Sequence, residues 1–568
     1  MDNPIDPQRL IGTVVEVSGS DARIDLPNAV GDTSRRLHGQ SISDGRVGDF
    51  VLIAVGASAV IGLITGVQLF GTERRELRPR FGERSGTNPI GSVQLLATVD
   101  LASGRVAAGI RTYPNLGCRV YAMSSSTFTR LLTRVSGGEA DVTLDIASLG
   151  AEKTDFPVLP EDLLGRHCAI LGATGSGKSW TLSRLAEACA AHESKLILLD
   201  ASGEHWELPS ATHAHFGEME AEDRESIEVS MPYTELEEND IFAIFRPAGQ
   251  TQLPKLRLAI RSLKLAKLLG EHDIVHTDGW IPKQGRPIAA IATEHDGFAA
   301  ELNSPRADFD IDLLTRQVHA ECVWPTDFND PTRYGNLNER DYAACVSLLS
   351  RIETALVSPD MSCIFNPGDA EPLSGVIDRF LADPEQRVLC LSLARLGFTA
   401  DVREIVANAI GRQLIDRARS GEFKESPLVV CVDEAHHFLN KQLGDEWVSY
   451  PLDAFDLIAR EGRKYGLALV LATQRPRDLP ETTLSQVGSL IVHRMTNQRD
   501  REVVISAASE LSRGASSLIP SLLAGQALFV GGRLPMPVIV DIKPPSSEPD
   551  STGPDYQSRW SAAVPNTG

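Results

Sequence analysis

Residues 168–179 read CAILGATGSGKS and decide the fold of this chain. The apolar run at Cys168 predicts a short buried strand, and SWTLSRLAEACAAH, from Ser179 onward, predicts a helix. The intervening loop fits the pattern GxxxxGK[ST], in which glycines allow a tight turn with backbone N–H groups facing phosphate. The helix N-terminus adds a favourable dipole. We therefore predict a nucleoside triphosphate site formed by Gly172, Ala173, Thr174, Gly175, Ser176, Gly177, Lys178, Ser179 and Trp180.

Two side chains of this loop have predicted chemical roles. Lys178 has the length and charge to reach the β- and γ-phosphates. The Ser179 hydroxyl is a suitable ligand for Mg²⁺. The loop therefore predicts ATP and Mg²⁺ as ligands.

A second apolar run ends in adjacent carboxylates. LVVCV, starting at Leu428, is followed by Asp433 and Glu434, which is the Walker B arrangement. Asp433 would hold the metal, usually through water, and Glu434 would polarise the attacking water. Hydrolysis requires both functions, so this pair favours an ATPase over a passive nucleotide binder.

Polar residues follow two further predicted strands. Thr473 and Gln474 follow LALVLA, and Asp200 follows KLILL and opens the turn that carries Glu204. In an open parallel sheet, ligands bind at the carboxyl ends of strands. We therefore predict that Gln474 contacts the γ-phosphate or the attacking water and that Glu204 positions water or metal. An ordinary strand-to-loop cap remains the alternative at both places.

Three arginines are candidates for completing the site. Arg460 and Arg463 lie in IAREGRKYG, and Arg494 lies in VHRMTNQRD. Phosphoryl transfer gains much from a guanidinium delivered to the γ-phosphate, often by a neighbouring subunit. The alternative for each is an ordinary surface arginine.

Composition describes a globular protein with an acidic surface. The chain has 568 residues, of which 42% are hydrophobic and 23% charged, and its formal net charge is -21. These values exclude disordered, collagenous and coiled-coil classes. The eight cysteines contain no CxxC pair, which argues against a zinc ribbon and fits a reducing compartment. The N-terminal stretch MDNPIDPQRL lacks signal-peptide features, so we expect a cytoplasmic protein.

One apolar run is long enough to cross a bilayer. Residues 51–70 read VLIAVGASAVIGLITGVQLF without a charge. The run also contains several glycines and polar residues and is rich in valine and isoleucine. This pattern favours two strands joined by a turn near Gly56–Ala59, so no membrane association is expected.

Patterns along the chain divide it into five segments. Short strands separated by turn residues predict a β-barrel, and later strands alternating with helices predict an α/β domain with a mostly parallel sheet. The tail is rich in proline, serine and glycine and carries Tyr556 and Trp560, which either brace a neighbouring subunit or lie in an irregular stretch. The predicted segments are residues 1–150 (barrel), 151–235 (first part of the sheet domain), 236–370 (helical insertion), 371–543 (second part of the sheet domain) and 544–568 (tail).

These motifs together resemble the HerA-type hexameric DNA translocases of the HerA/FtsK group. The resemblance rests on IGTVVEV, HCAILGATGSGKS, DASGEH, VVCVDEAHHF, IAREGRKYGLALVLATQRP and LSQVGSLIVHRMTN and covers most of the chain. It implies a RecA-like P-loop ATPase core with an N-terminal β-barrel. Relatives often have DPHGEY where this chain has DASGEH, which keeps Glu204 and weakens any role for its neighbours.

The resemblance also implies roles and partners. Lys178 and Ser179 would serve phosphate and metal, Gln474 would be the sensor, and Arg460 or Arg463 would be the arginine finger. Arg494 would lie near the nucleotide. The family implies a hexamer on double-stranded DNA that works with a separately encoded nuclease or other effector, in DNA end processing or antiphage defence.

A basic segment is the candidate nucleic-acid surface. Between Pro254 and Gly270 there is no acidic residue, and three of the basic residues share one helical face. A solvated face opposite the leucines is the alternative. The basic residues are Lys255, Arg257, Arg261, Lys264 and Lys267.

Two other functions remain open at this point. A ring-shaped ATPase scaffold that assembles and activates a nuclease or an NAD-consuming enzyme would need no translocation, and the barrel would be its docking surface. A conjugation or secretion ATPase shares the same core. The absence of a predicted membrane anchor argues against the coupling-protein type.

Overall fold

The structure is a computed structural model of the whole chain. It describes residues 5–550 together with Tyr556 and Trp560, apart from residues 28, 30–33, 38–39, 44, 70–87, 136–141, 151–152, 218–224, 307, 398–400, 440, 445–448, 509–512 and 533.

The N-terminal strands form a closed antiparallel barrel. The elements are β1 (Leu10–Val17), β2 (Asp21–Asp25), β3 (Ser34–Leu37), β4 (Gln40–Ser43), β5 (Phe50–Val55), β6 (Ser58–Leu69), β7 (Pro89–Asp100), β8 (Val106–Ala108), β9 (Arg119–Ala122) and α1 (Ser125–Val135). The strand order is β2-β1-β9-β5-β6-β7, and pairing of β2 with β7 closes the ring. Strand β8 extends β7 at the edge, and β3 and β4 form a separate hairpin.

The apolar run of residues 51–70 lies within this barrel. It forms β5 and β6, which pair antiparallel around a turn in which Gly56 has a φ of +60°. The two predicted strands are therefore present. Among the described residues, no helix combines the length and the apolar character that crossing a bilayer requires.

The second domain begins with a β-hairpin and the phosphate-loop unit. Its first elements are β10 (Leu144–Leu149), β11 (Thr154–Val158), α2 (Pro160–Leu163), β12 (Cys168–Leu171), α3 (Lys178–Ala190), β13 (Lys195–Asp200), β14 (Ala211–Phe216) and β15 (Ile227–Ser230).

A helical segment then separates two parts of the sheet. It contains α4 (Glu238–Phe245), α5 (Gly249–Leu269), α6 (Ile288–Gly297), α7 (Ala299–Leu302), α8 (Leu314–Glu321), α9 (Glu339–Leu356) and α10 (Ser362–Phe365). Apolar side chains of α4 and α5 join the main core of the sheet domain, so the insertion packs on the sheet and is not an independent unit.

The chain then returns to the sheet. The remaining elements are β16 (Glu371–Pro372), α11 (Leu373–Ala382), β17 (Val388–Ser392), α12 (Val402–Arg419), β18 (Leu428–Val432), β19 (Lys441–Gly444), β20 (Ser449–Leu452), α13 (Ala454–Glu461), β21 (Leu467–Thr473), α14 (Glu481–Leu484), β22 (Ser489–His493), α15 (Gln498–Ala507), α16 (Arg513–Ser516), β23 (Gln526–Gly531) and β24 (Val538–Ile542).

These strands build one large mixed sheet. Its order is β11-β10-β24-β23-β22-β12-β21-β18-β13-β17-β14-β15-β16. The stretch from β22 to β16 is parallel, and β23, β24, β10 and β11 extend it antiparallel. The mostly parallel sheet with a helical insertion confirms the predicted fold class, with the predicted small barrel ahead of it.

The structure differs from the domain boundary expected at residue 150. Residues 144–149 form β10, which pairs with β24 of the large sheet and not with the barrel. A short apolar strand has the same local pattern in either domain. Its partner, Ile542 opposite Ala147, lies far along the chain, so local sequence cannot reveal the pairing.

Strand β12 lies in the centre of the sheet, between β21 and β22. Its side chains alternate between two cores: Ala169 and Leu171 pack on one face, and Cys168 and Ile170 on the other. Helices on both faces are typical of parallel sheets. Because β12, β13, β18, β21 and β22 run in one direction, their carboxyl ends meet at one edge, which we call the carboxyl edge.

Candidate active site at the carboxyl edge

The loop after β12 requires glycine at particular positions. A Cβ atom at Gly172 would lie 2.5 Å from Ser176 Oγ and 2.6 Å from His493 Cβ. Gly175 and Gly177 have φ values of +69° and +112°, a region that side chains strongly disfavour. Helix α3 begins directly after Gly177, so its first N–H groups face the loop. The backbone therefore forms the anion cradle that the motif predicts.

Lys178 and Ser179 occupy the first turn of α3. Lys178 is only 7% exposed. The Ser179 hydroxyl donates a hydrogen bond of 2.7 Å to Oε2 of Glu204. The structure therefore brings Ser179 of the phosphate loop together with Glu204, which the sequence placed on a separate motif.

The turn that carries Glu204 is organised by Asp200. The buried carboxylate of Asp200 accepts backbone hydrogen bonds from Gly203 (2.8 Å), Glu204 (3.2 Å) and His205 (3.0 Å). Three bonds to one side chain fix the turn immediately after β13. The role of Asp200 here is to orient Glu204 and His205.

Asp433 is a buried carboxylate at the end of β18. Its backbone N–H donates to Leu199 O at 3.0 Å, which places it beside the end of β13. Ser202 Oγ donates to Asp433 Oδ2 at 3.4 Å, and His205 Nε2 lies 3.9 Å from the same oxygen. Burial raises the pKa of Asp433 to about 6. The charge of His205 acts in the opposite direction, and the negative charge of Asp200 raises the pKa further. A cation beside Asp433 would relieve this cost.

Glu434 adopts an unusual backbone conformation. Its φ is +45°, and His437 N donates to its carbonyl at 3.0 Å. The carboxylate oxygen Oε2 lies 3.2 Å from His436 Nδ1. Burial alone would raise the pKa of Glu434, but a hydrogen bond from His436 and the charge of Lys178 outweigh it and hold this pKa below its usual value. Glu434 is therefore ionised at neutral pH, as a proton acceptor must be.

The end of β21 contacts the phosphate loop. Gly172 N donates to Thr473 O at 3.3 Å, and the Thr174 hydroxyl donates to Oε1 of Gln474. The predicted sensor side chain thus lies against the loop. Its role as a sensor stays a prediction.

Arg494 also lies beside the loop. Its carbonyl accepts a hydrogen bond of 3.1 Å from Ala173 N, and its side chain is exposed. The contact is made by backbone, so the structure places Arg494 near the nucleotide position without fixing where its guanidinium acts.

Arg460 and Arg463 lie at the opposite end of the sheet. Arg463 is in the 3-10 turn Gly462–Tyr465 that precedes β21, whereas Gln474 follows β21. His167 immediately precedes β12. Burial lowers the pKa of His167 to about 4, and the nearby positive charge of Arg463 lowers it further. Arg463 therefore lies near the start of β12. Seven strand residues span about 20 Å, well beyond the reach of an arginine. Neither arginine therefore reaches the phosphate loop of its own chain.

Three lysines of the predicted basic segment are engaged within the helical insertion. Lys264 bonds Glu238 Oε1 at 2.7 Å and Ser304 O at 2.8 Å, and is 4% exposed. Lys255 forms an ion pair of 3.1 Å with Asp341, and Lys267 pairs with Asp308. Arg257 lies over the ring of Phe242, 5.4 Å from its centre. These contacts favour the alternative of a structural helix, and a nucleic-acid role for Arg257, Arg261 and their neighbours stays a prediction.

Sequence reasoning missed two histidines of the site. His205 is 1% exposed, and its Nδ1 lies 2.9 Å from Ser183 Oγ on α3. His436 contacts Thr473 Oγ1 at 3.1 Å as well as Glu434. In the sequence, His205 directly follows Glu204, and His436 lies two residues after Glu434. Their relation to the neighbouring strands depends on pairings that one sequence does not reveal.

The residues present fit a triphosphate and a divalent cation. The loop leaves no room for a side chain at Gly172, Lys178 adds a cation, and Asp433 is a buried carboxylate whose ionisation is disfavoured. Ligand atoms of Asp200, His205 and Asp433 lie within 4.8 Å of one another. The hydroxyl and carboxylate oxygens of Ser179 and Asp433 are ligands that Mg²⁺ prefers.

The central part of the chain has recognisable relatives. Residues 144–278 match the family model of the helicase HerA central domain. This segment of the chain is similar to the HerA central domain. This HerA-like chain is 25% identical over 414 residues to the DNA double-strand break repair helicase HerA of Sulfolobus acidocaldarius, covering 70% of this chain and 69% of the relative. A probable helicase of Methanocaldococcus jannaschii is 23% identical over 510 residues, with 88% and 86% covered.

Similarity to solved structures is more distant. The plasmid coupling protein TrwB bound to an ATP analogue aligns with a TM-score of 0.44 and 16% identity, covering 74% of the HerA-like chain and 93% of TrwB. VirB4 of Thermoanaerobacter pseudethanolicus aligns with a TM-score of 0.44 and 14% identity, covering 71% and 97%. The HerA resemblance, with the phosphate loop and the Asp433–Glu434 pair at one edge, identifies the HerA-like chain as a P-loop ATPase.

Proposed function

We propose that the HerA-like chain is a DNA-translocating ATPase that works as a ring, with six copies as the expected number. The observation that carries this proposal is the division of the catalytic groups between two ends of one sheet. The phosphate loop and Glu434 lie at the carboxyl edge, and Arg463 lies about 20 Å away, so Arg463 would serve as the finger only at the site of a second copy. Head-to-tail contacts of this kind close into rings.

Binding of ATP would use the loop and its lysine. Backbone N–H groups of the loop and Lys178 hold the phosphates, and Ser179, Asp433 and Glu204 would hold Mg²⁺. When bound, Mg²⁺ neutralises phosphate charge. Glu434, ionised beside His436, accepts a proton from the attacking water. Gln474 leaves Thr174 to contact the γ-phosphate or that water.

DNA as the substrate is supported by the relatives and by charge. Four of the relatives in the comparison, among them those from Sulfolobus acidocaldarius and Pyrococcus furiosus, are named as DNA double-strand break repair helicases HerA. A net charge of -21 opposes DNA binding on the outer surface. A ring resolves this conflict by gathering basic groups in its pore.

The direct test measures hydrolysis and assembly together. ATP turnover by the purified chain is followed with and without linear double-stranded DNA, and the particle is sized under the same conditions. We expect a ring whose turnover rises with DNA and falls with added salt. A monomer with full catalytic rate, or a ring indifferent to DNA, contradicts the proposal.

We further propose that a separately encoded nuclease or other effector works with this ATPase, in DNA repair or in antiphage defence. The support is the family resemblance alone. Co-purification with the product of a neighbouring gene tests it. If the effector is active with the Glu434→Gln ring, the scaffold function replaces translocation; if it needs turnover, the motor stands.

A further inference from the structure

His436 contacts two parts of the site at once. Its Nδ1 lies 3.2 Å from Oε2 of Glu434 and 3.1 Å from Oγ1 of Thr473. Its side chain is 6% exposed, so water offers it little competition for these partners. Glu434 precedes it in the chain, whereas Thr473 ends a different strand, β21.

A ring nitrogen carries at most one proton, so Nδ1 has a single hydrogen bond to donate. The carboxylate of Glu434 accepts only, and the hydroxyl of Thr473 both donates and accepts. Thr473 Oγ1 already accepts from Arg475 N at 3.0 Å. In the structure the aligned hydrogen bond of Nδ1 is the one to Thr473, and Glu434 Oε2, 3.2 Å away, is buried without an aligned hydrogen-bond partner. A proton on Nδ1 that turns to Glu434 makes the stronger hydrogen bond, because this acceptor is charged. The Thr473 hydroxyl keeps the imidazole in place.

The contacts continue from Thr473 to the phosphate loop. Thr473 O accepts from Gly172 N at 3.3 Å, and the next residue, Gln474, accepts from the Thr174 hydroxyl. A continuous path of side chains thus runs from Thr174 through Gln474, Thr473 and His436 to Glu434. One end of the path is a residue of the phosphate loop, and the other is the predicted proton acceptor.

Resting on the proposed ATPase, we infer that His436 is a positioning residue that holds the Glu434 carboxylate and ties it to the end of β21. Movement of Gln474 away from Thr174 shifts the end of β21, and His436 carries that shift to Glu434. The left-handed backbone of Glu434 makes this support necessary, since a strained residue keeps its geometry only when its surroundings impose it.

The test compares three substitutions by steady-state ATP hydrolysis. His436→Ala is expected to lower kcat about tenfold or more while KM changes by less than about twofold, because the loss falls on the chemical step. His436→Asn restores most of the rate, since its amide N–H replaces Nδ1–H. His192→Ala is the matched control, because the imidazole of His192 contacts Thr143 O at 3.1 Å and lies away from Glu434, so we expect this variant to hydrolyse ATP like the unaltered chain.

A double-variant cycle tests the link to β21. Thr473→Val removes the hydroxyl at nearly constant size, and its loss should not add to that of His436→Ala if the two side chains act as one unit. The inference is overturned if kcat is unchanged in His436→Ala, or if His436→Asn loses as much rate as His436→Ala. It is also overturned if the double variant loses the product of the two single losses in kcat. Nucleotide binding and thermal melting of the variants show that the fold is intact.

This test is independent of the DNA proposal. Hydrolysis by the unaltered chain without a DNA response contradicts translocation and leaves the His436 comparison fully readable. A normal DNA response with unchanged kcat in His436→Ala overturns only the inference on His436.

Discussion

The Ser179 hydroxyl donates a hydrogen bond of 2.7 Å to Oε2 of Glu204. A serine hydroxyl has one proton, so this bond directs its lone pairs away from Glu204. The first residue of the metal site is thus oriented by a residue from the turn after β13. The charge of Glu204 also attracts a cation to the same place.

Glu204→Gln should therefore increase the Mg²⁺ concentration needed for half-maximal ATP hydrolysis several-fold. The maximal rate at saturating Mg²⁺ should fall less, because Ser179 and Asp433 remain. Glu207→Gln is the matched control, since Glu207 accepts from Ser547 at 3.2 Å and not from Ser179. Identical Mg²⁺ titrations of the two variants would exclude a metal-positioning role for Glu204.

Substitutions of Lys178 and Glu434 should have different effects, one on ATP binding and the other on ATP turnover. Lys178→Ala removes the cation at the phosphates, so equilibrium titration with a fluorescent ATP analogue should show weaker binding. Glu434→Gln keeps the shape of the site and removes the proton acceptor. Its turnover should fall by about 10²-fold or more while nucleotide binding remains. Near-normal hydrolysis by Glu434→Gln would show that another group activates the water.

Arg463 should act across a subunit seam. Arg463→Ala alone should reduce turnover by about 10³-fold if it is the arginine finger. Mixing it with Glu434→Gln subunits should restore part of the activity, because about a quarter of the seams in an equal mixture combine intact groups from both chains. Arg460→Ala in the same mixture tells which arginine reaches the neighbour. No recovery in either mixture would place the finger elsewhere.

The buried charge of Asp433 should cost stability. Its pKa of about 6 lies above the usual aspartate value of 3.8, so the folded state favours the protonated form. Folding stability from this group therefore falls as pH rises from about 4 to about 6. Asp433→Asn should raise the unfolding free energy of the nucleotide-free protein by about 2–3 kcal/mol at neutral pH. Urea unfolding should show this gain shrink on acidification and vanish below about pH 4; a gain independent of pH would contradict it.

Lys264 should matter for stability and not for DNA. Lys264→Met leaves the partly buried Glu238 without its cation and Ser304 O without its donor, which should cost about 1–3 kcal/mol of unfolding free energy. Arg257→Ala, on the exposed side of α5, should cost about 1 kcal/mol or less. Chemical unfolding and salt-dependent DNA binding distinguish the two. A stable Lys264→Met variant with weakened DNA binding would support the basic segment as a DNA surface.

Local chemistry determined most of what the sequence predicts correctly. The phosphate loop needs glycines, a lysine and a serine in fixed order, so Gly172 and Lys178 are enough to predict the nucleotide site. The adjacent carboxylates of Asp433 and Glu434 at a strand end are nearly as specific. The alternation of apolar strands with helices was enough to predict the parallel sheet. The glycines and β-branched residues were enough to predict the β5–β6 hairpin.

What the sequence did not predict depends on pairing over long distances. The place of β10 beside β24 and the contact of His436 with Thr473 follow from strand order alone. The ion pairs of two lysines on α5 could not be predicted for the same reason. Glu238 and Asp308, which neutralise Lys264 and Lys267, come from separate segments on either side of α5.

Strand β21 begins shortly after Arg463 and Tyr465 and ends at Thr473, next to Gln474. In a ring where Arg463 serves the adjoining copy, one rigid strand would touch two successive reaction centres. Loss of a phosphate at one reaction centre would then shift this strand and change the position of the Arg463 guanidinium at the next reaction centre. Turnover would pass around the ring in order, with the direction set by the polarity of a single strand.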